Sequence, residues 1–159
     1  MVKFKIEKFN KKSSFEIFPL LKLHKIETFK EGLLFDSIYD ETFENTNINF
    51  DLMINMSLND KLLYITIRND HDDLVGYSVF NIFKNSFTTD GFLISDLYGI
   101  YIKEEYRNFK NFKNLISISE KYLKLKNVKI IYMNMPTIYS NLMKRLRYKS
   151  EEICFKKEI

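Results

Sequence analysis

Between Asp96 and Leu125 the chain places a carboxylate ahead of a basic turn that opens a helix. Ile100-Tyr101-Ile102-Lys103-Glu104-Glu105-Tyr106-Arg107 begins with the alternation of a strand. Asn108-Phe109-Lys110-Asn111-Phe112-Lys113 follows as the turn, and Phe112, Leu115, Ile116, Tyr122 and Leu123 then mark one face of a helix. The first turn of a helix has backbone N–H groups without internal partners, and its dipole favours an anion placed there. A diphosphate is the natural guest, with Arg107, Lys110 and Lys113 adding side-chain charge. Asp96 is the ionisable carboxylate of the strand before the turn and a candidate base; a solvated edge aspartate is the alternative reading.

Ile100-Tyr101-Ile102 and Glu105-Tyr106-Arg107 resemble the strand "apolar-Tyr-Val-x-x-Glu-Tyr-Arg" of the GNAT superfamily of acyl-coenzyme A N-acyltransferases, and more narrowly its divergent members encoded by tailed bacteriophages. Leu74-Val75-Gly76-Tyr77 is a second point of resemblance. The resemblance covers nearly the whole chain. It implies a single domain over residues 1–159 with a mixed α/β sheet of about six to seven strands flanked by helices. It also implies acetyl-coenzyme A as co-substrate, held by Ile100, Tyr101, Ile102, Arg107, Asn108, Phe109, Lys110, Asn111, Phe112 and Lys113. In the family the strand before the loop splays from its parallel neighbour, and the pantetheine arm lies in the gap.

Two family features are changed. The family's loop carries two glycines, and Lys110 and Phe112 stand in their places; the N–H donors survive, but side chains there narrow the approach. The family's general acid is a tyrosine on the last helix. Aligning Arg147-Tyr148 with its Gly-Phe ending puts Met143 at that position, with Tyr139 one turn earlier on the same face. Tyr139 is the candidate acid, against the alternative of an aromatic packed in the core.

The remaining elements follow from periodicity and turn chemistry. Val2 to Phe9 alternates as a first strand. Ser13 and Glu16 form a capping-box pattern, but Pro19 is tolerated only in a first turn, so the regular helix is expected from near Phe18 to Phe29 with Ser13–Ile17 as lead-in. That helix carries His24 and Glu27 on one face, either on the acceptor side of a cleft or as a half-buried histidine satisfied by its neighbour. The tract from Glu31 to Asn49 reads as an acidic loop or lid.

A short helix over Phe50–Ser57 precedes strands at Lys61–Arg68 and Leu74–Phe83, joined through Asn69–Asp73; His71 among the aspartates reads as a solvated hairpin tip, not a metal site. A strand over Gly91–Ile102 carries Gly99, the mark of a bulge or a close backbone approach. After a helix over Asn111–Leu125 come a mostly buried strand, Val128–Met135, parallel to the Asp96 strand, a helix from Pro136 or Thr137 to Leu146, and a closing strand from Tyr148 to Ile159.

A length of 159 residues suits one domain, and 45% hydrophobic composition excludes a disordered chain. The net charge of +4 is spread among interspersed acids and bases, which argues against nucleic acid as partner. Cys154 is the single cysteine, and no apolar run reaches the length of a membrane span; the expected setting is the cytoplasm, that of the host for a phage protein. Two functions remain open. One is transfer of an acetyl group to an amine of a small molecule or protein; the other is a non-catalytic module of the same fold that binds a host or virion protein.

Overall fold

In a computed structural model of the protein, the described residues are 1–30 (side chains as far as Glu27), 48–85, 91–133 and 139–149. Five strands are present among them: β1 (Lys3–Glu7), β2 (Leu62–Arg68), β3 (Leu74–Lys84), β4 (Leu93–Ile102) and β5 (Val128–Tyr132). They form one sheet in chain order, antiparallel from β1 to β4 and parallel between β4 and β5. The helices are α1 (Lys11–Lys30), α2 (Phe50–Leu58), α3 (Phe109–Leu125) and α4 (Ser140–Arg145). None of the described helices is long and apolar enough to cross a membrane.

The period of two along each strand splits the core into two layers. Leu62 and Tyr64 of β2 pack with Ile17 and Leu20 of α1 and Met53 of α2, whereas Leu63, Ile65 and Ile67 pack with Leu115 and Leu123 of α3. Every residue of β2 is buried, because the strand is covered on both faces and flanked on both edges. The sheet is therefore sandwiched between α1 and α2 on one side and α3 on the other.

Several expectations need correction. Helix α1 begins at Lys11, not near Phe18, and Pro19 is interior to it. The cap is Asn10, whose Oδ1 accepts from the N–H groups of Lys12 (2.9 Å) and Ser13 (3.1 Å), so Ser13 and Glu16 do not form a capping box. Proline is tolerated here because it shares the exposed stripe of Lys11 and Phe15, where solvent can meet the carbonyl that the ring deprives of a donor. Strand β5 is half-exposed instead of mostly buried: among the described residues it ends the strand order and has β4 as its one neighbour. The described strands number five, below the expected six to seven. The acidic tract, the start of the last helix and the closing strand beyond Lys149 lie outside the described residues, as does Cys154.

The hairpin tip is closed by Asn69, whose Oδ1 accepts from the N–H groups of His71 and Asp73, both at 2.9 Å. Its aspartates tie the tip to the start of the chain: Asp70 pairs with the terminal amine and Asp72 with Lys5.

Gly76 of β3 is where side-chain size decides the β3–β4 spacing. A Cβ there would lie 2.9 Å from the Tyr101 carbonyl oxygen and 3.0 Å from Ile67 Cδ1. Gly76→Ala is expected to destabilise the fold by about 1–3 kcal/mol through overpacking, measured by urea unfolding. A change under roughly 0.5 kcal/mol would mean that β4 can move aside.

Candidate active site

Strand β4 changes character at its midpoint. Its register against β3 passes from Phe80↔Leu97 to Val79↔Gly99, leaving Tyr98 as the extra residue of a bulge beside the expected Gly99. On the other edge, pairing with β5 ends at Asp96↔Tyr132, and among the described residues Leu97–Ile102 has no β5 partner. The bulge also resets the alternation. Leu97 and Ile102 both face α3, so Asp96 before the bulge and Tyr101 after it lie on the opposite face, toward α1.

Beyond β4 the chain makes a 3-10 turn, Glu104–Tyr106, and enters α3 through Asn108. Asn108 Oδ1 accepts from Asn111 N–H at 2.9 Å, and the side-chain amides of Asn108 and Asn111 both donate to the Tyr106 carbonyl, at 3.1 and 2.8 Å. Two asparagines thus brace a turn that glycines would otherwise shape. The amides of Phe109 and Lys110, in the first turn, find no acceptor among the described residues. Phe112 packs under the helix in the α3-side core, and the Phe109 ring lies 4.4 Å from the Arg145 guanidinium of α4. Lys110 and Lys113 are exposed.

Arg107 does not join them. Its Nε donates to the Ile102 carbonyl at 3.1 Å, its guanidinium lies 5.6 Å from the Tyr101 ring centre, and its Nη2 is bound to Glu27 Oε2 of α1. The Tyr101 hydroxyl donates to Glu27 Oε1 at 2.6 Å. The His24 ring stacks on Tyr101 at 5.2 Å, and its Nδ1 is 3.1 Å from the Tyr77 hydroxyl. His24 and Glu27 are therefore neighbours on α1 with different hydrogen-bond partners: the histidine is met by Tyr77, the carboxylate by Tyr101 and Arg107.

Burial pushes His24 down to about 4, against the pull of Glu27, so the imidazole is neutral at pH 7. Burial alone would raise Glu27, but the hydrogen bonds from Tyr101 and Arg107 hold it below the usual carboxylate range. Burial and the bond to Glu27 push the Tyr101 phenol well above its ordinary value.

Asp96 stands at the fork, opposite Asn81 on β3 and Tyr132 on β5. Its Oδ1 is buried with no hydrogen-bond partner among the described residues, and burial raises its carboxyl above the ordinary value in spite of the Leu97 N–H. The Glu27 cluster is on the same face but roughly 13 Å further along the strand, at about 3.3 Å per residue. Tyr139, half-buried just before α4, lies near enough to Arg107 to act on its charge, at the Glu27 end. Met143 is a core residue. Ile100, Tyr101 and Ile102 line β4 beyond the fork, Ile100 and Ile102 facing α3.

Sequence reasoning missed Tyr77 and the way Tyr101 meets α1. Their signal was faint: tyrosines two residues from the α1-facing positions Val79 and Gly99, where an apolar side chain would ordinarily serve. It also missed Arg68, which bonds Glu7 and Glu16 across three elements.

A bulged strand that runs into a capped helix, in a sheet with helices on both faces, belongs to an architecture found among solved structures of acetyltransferases. They include an acetyltransferase from Trypanosoma brucei (12% identity, 100% of both chains, TM-score 0.70). Glucosamine-6-phosphate N-acetyltransferase from Arabidopsis thaliana matches at 14% identity over 98% of both chains, with TM-score 0.66. Ribosomal-protein-alanine N-acetyltransferase from Brucella melitensis biovar Abortus 2308 matches at 14% identity over 100% of this chain and 99% of that one, with TM-score 0.66. No family model and no curated protein sequence matches the chain. The chain has the GNAT acetyltransferase fold.

Proposed function

We propose that the protein is an N-acetyltransferase that moves an acetyl group from acetyl-coenzyme A to an amine of a small molecule or protein. One observation carries the reading. Among the described residues β4 pairs with β5 only as far as Asp96, and it runs past the Tyr98 bulge into a braced turn where the Phe109 and Lys110 amides find no acceptor. The residues fit the co-substrate: two amides and the exposed Lys110 and Lys113 suit a diphosphate, and Phe112, at a glycine position, is turned into the core. Bound there, acetyl-coenzyme A supplies the thioester carbonyl that an amine attacks.

This chain's own residues manage the protons. Asp96 takes the proton of the acceptor amine, for which a carboxyl raised by burial is better matched than an ordinary one. The departing thiolate takes its proton through water from Tyr139, which lies at the Glu27 end of β4, roughly 13 Å along the strand from Asp96. On this reading the protein is of the divergent phage-encoded type and works in the host cytoplasm.

Thermal melting with acetyl-coenzyme A tests the reading. A ligand that binds the folded state raises the melting temperature with the logarithm of its concentration. Lys110→Gln with Lys113→Gln is expected to weaken binding about ten-fold or more through lost charge-assisted contacts, with the ligand-free melting temperature unchanged. No rise at millimolar ligand would leave a non-catalytic module of this fold, directed at a host or virion protein.

A further inference from the structure

Given the acetyl-transfer reading, we propose that Glu27, Tyr101 and His24 form a cation subsite for the acceptor, and that the ligand-free protein fills it with its own Arg107. The acceptor is then an amine that carries a second positive charge, a guanidinium or an ammonium.

The cluster is built as a receptor for such a group. Tyr101 fixes one oxygen of Glu27 by a 2.6 Å hydrogen bond and leaves the other, Oε2, to a cation. The Tyr101 ring lies 5.6 Å from the guanidinium it receives. The His24 ring backs Tyr101 at 5.2 Å and is itself held by the Tyr77 hydroxyl at 3.1 Å, so the aromatic wall is braced from β3. A planar cation already sits there, which demonstrates the fit.

The occupant can leave. The Arg107 side chain is 42% exposed and Glu27 is 32% exposed, so the pair is screened by water and holds weakly. Arg107 immediately precedes Asn108, the cap of the turn whose amides await an anion. A diphosphate on that turn offers Arg107 a bidentate partner of higher charge than Glu27. Once Arg107 turns to it, Glu27 keeps its Tyr101 bond and presents an ionised, half-exposed oxygen toward the face that Asp96 shares. Donor binding and acceptor binding are thereby coupled through one side chain, and the coupling is reciprocal.

Calorimetric titration with agmatine, which has a primary amine and a guanidinium, tests this. Coenzyme A without an acetyl group serves as the donor probe, so that nothing turns over. The wild type is expected to bind agmatine about ten-fold more tightly when saturated with coenzyme A. Arg107→Gln should bind agmatine at that tighter level with no coenzyme A present. Glu27→Gln should lose the agmatine site and bind coenzyme A several-fold more tightly, because Arg107 is released; a merely structural role for the pair would not give that gain.

Equal agmatine affinity in Arg107→Gln and wild type, or undiminished affinity in Glu27→Gln, overturns the subsite. If coenzyme A fails to bind any variant, the acetyl-transfer reading falls, while the Arg107→Gln titration still decides the subsite because it uses no donor. Should Arg107→Gln not fold, the Glu27→Gln titrations decide alone.

Discussion

Asp96→Asn is expected to lower acetyl transfer by about 10²–10⁴-fold, the range lost with a general base, with a melting temperature that equals or exceeds that of the wild type. The two halves of this result have one cause. The Asp96 carboxylate has a buried oxygen without a donor among the described residues, and burial disfavours its charged form, so its pKa is raised in the folded protein. A carboxyl raised on folding weakens the fold at pH values where it is ionised in both states, and an amide of the same shape removes that penalty. The wild-type kcat/KM should fall on the acid side at a pH above the ordinary carboxylate range, and the asparagine variant should lose that limb. An Asp96→Asn enzyme with unchanged kcat and the same acid limb would take Asp96 out of the chemistry. A structural aspartate would instead show a lower melting temperature with kcat intact.

Arg68→Ala is expected to cost about 3–5 kcal/mol of stability, the range for removing one partner of a buried ion pair. Arg68 is 4% exposed. Its Nε and Nη2 donate to the two oxygens of Glu7, both at 3.0 Å, Nη2 also to Glu16 Oε2 at 2.7 Å, and Nη1 to the Asp72 carbonyl at 2.9 Å. Alanine would leave two carboxylates together with no cation between them. The pH dependence has a definite sign. Burial pushes Glu7 up, but the bonds from Arg68 and Thr66 outweigh it and hold the carboxyl below its ordinary value of 4.5. A group depressed on folding stabilises above its unfolded pKa and loses that contribution as pH falls through the folded value. The gap between wild type and Arg68→Ala is therefore full at pH 7 and shrinks under acid. Urea midpoints across that range would reveal it; a gap constant with pH would assign the loss to packing alone. Because Glu16 is on α1, the same variant loosens the helix that carries His24 and Glu27.

Much of the path from Asp96 to Leu125 was legible in the residues. Alternation in β4, the basic turn and the apolar stripe of α3 each reflect a local rule, burial of one face at the period of the element, and the structure follows them with α3 starting two residues early. Gly99 marked the bulge, since a residue without a side chain weakens a regular strand. Local rules failed where a distant group decided. Pro19 argued for a helix start, but the Asn10 cap and the sheet packing of Ile17 and Leu20 stabilise a continuous α1 around it. His24 and Glu27, a helical turn apart, had two readings, a place on the acceptor side of a cleft or a histidine satisfied by its neighbour, and the spacing could not name the groups that hydrogen-bond them. Their partners are 53, 74 and 80 residues away.

The sequence by itself determined the order of elements and the placing of a basic turn at the head of a helix. Periodicity and turn composition are properties of a few consecutive residues, and each fixes which conformation buries the most apolar surface. Only the tertiary structure decided that the described pairing of β4 with β5 ends at Asp96, that Asp96 and Tyr101 share a face, and that Arg107 turns to Glu27 instead of the turn it borders. A charged side chain carries no record in its neighbours of which distant charge it will meet. Register and packing choose the partner, because electrostatic energy depends on separation in space and on exclusion of water, and neither is defined until the chain has folded.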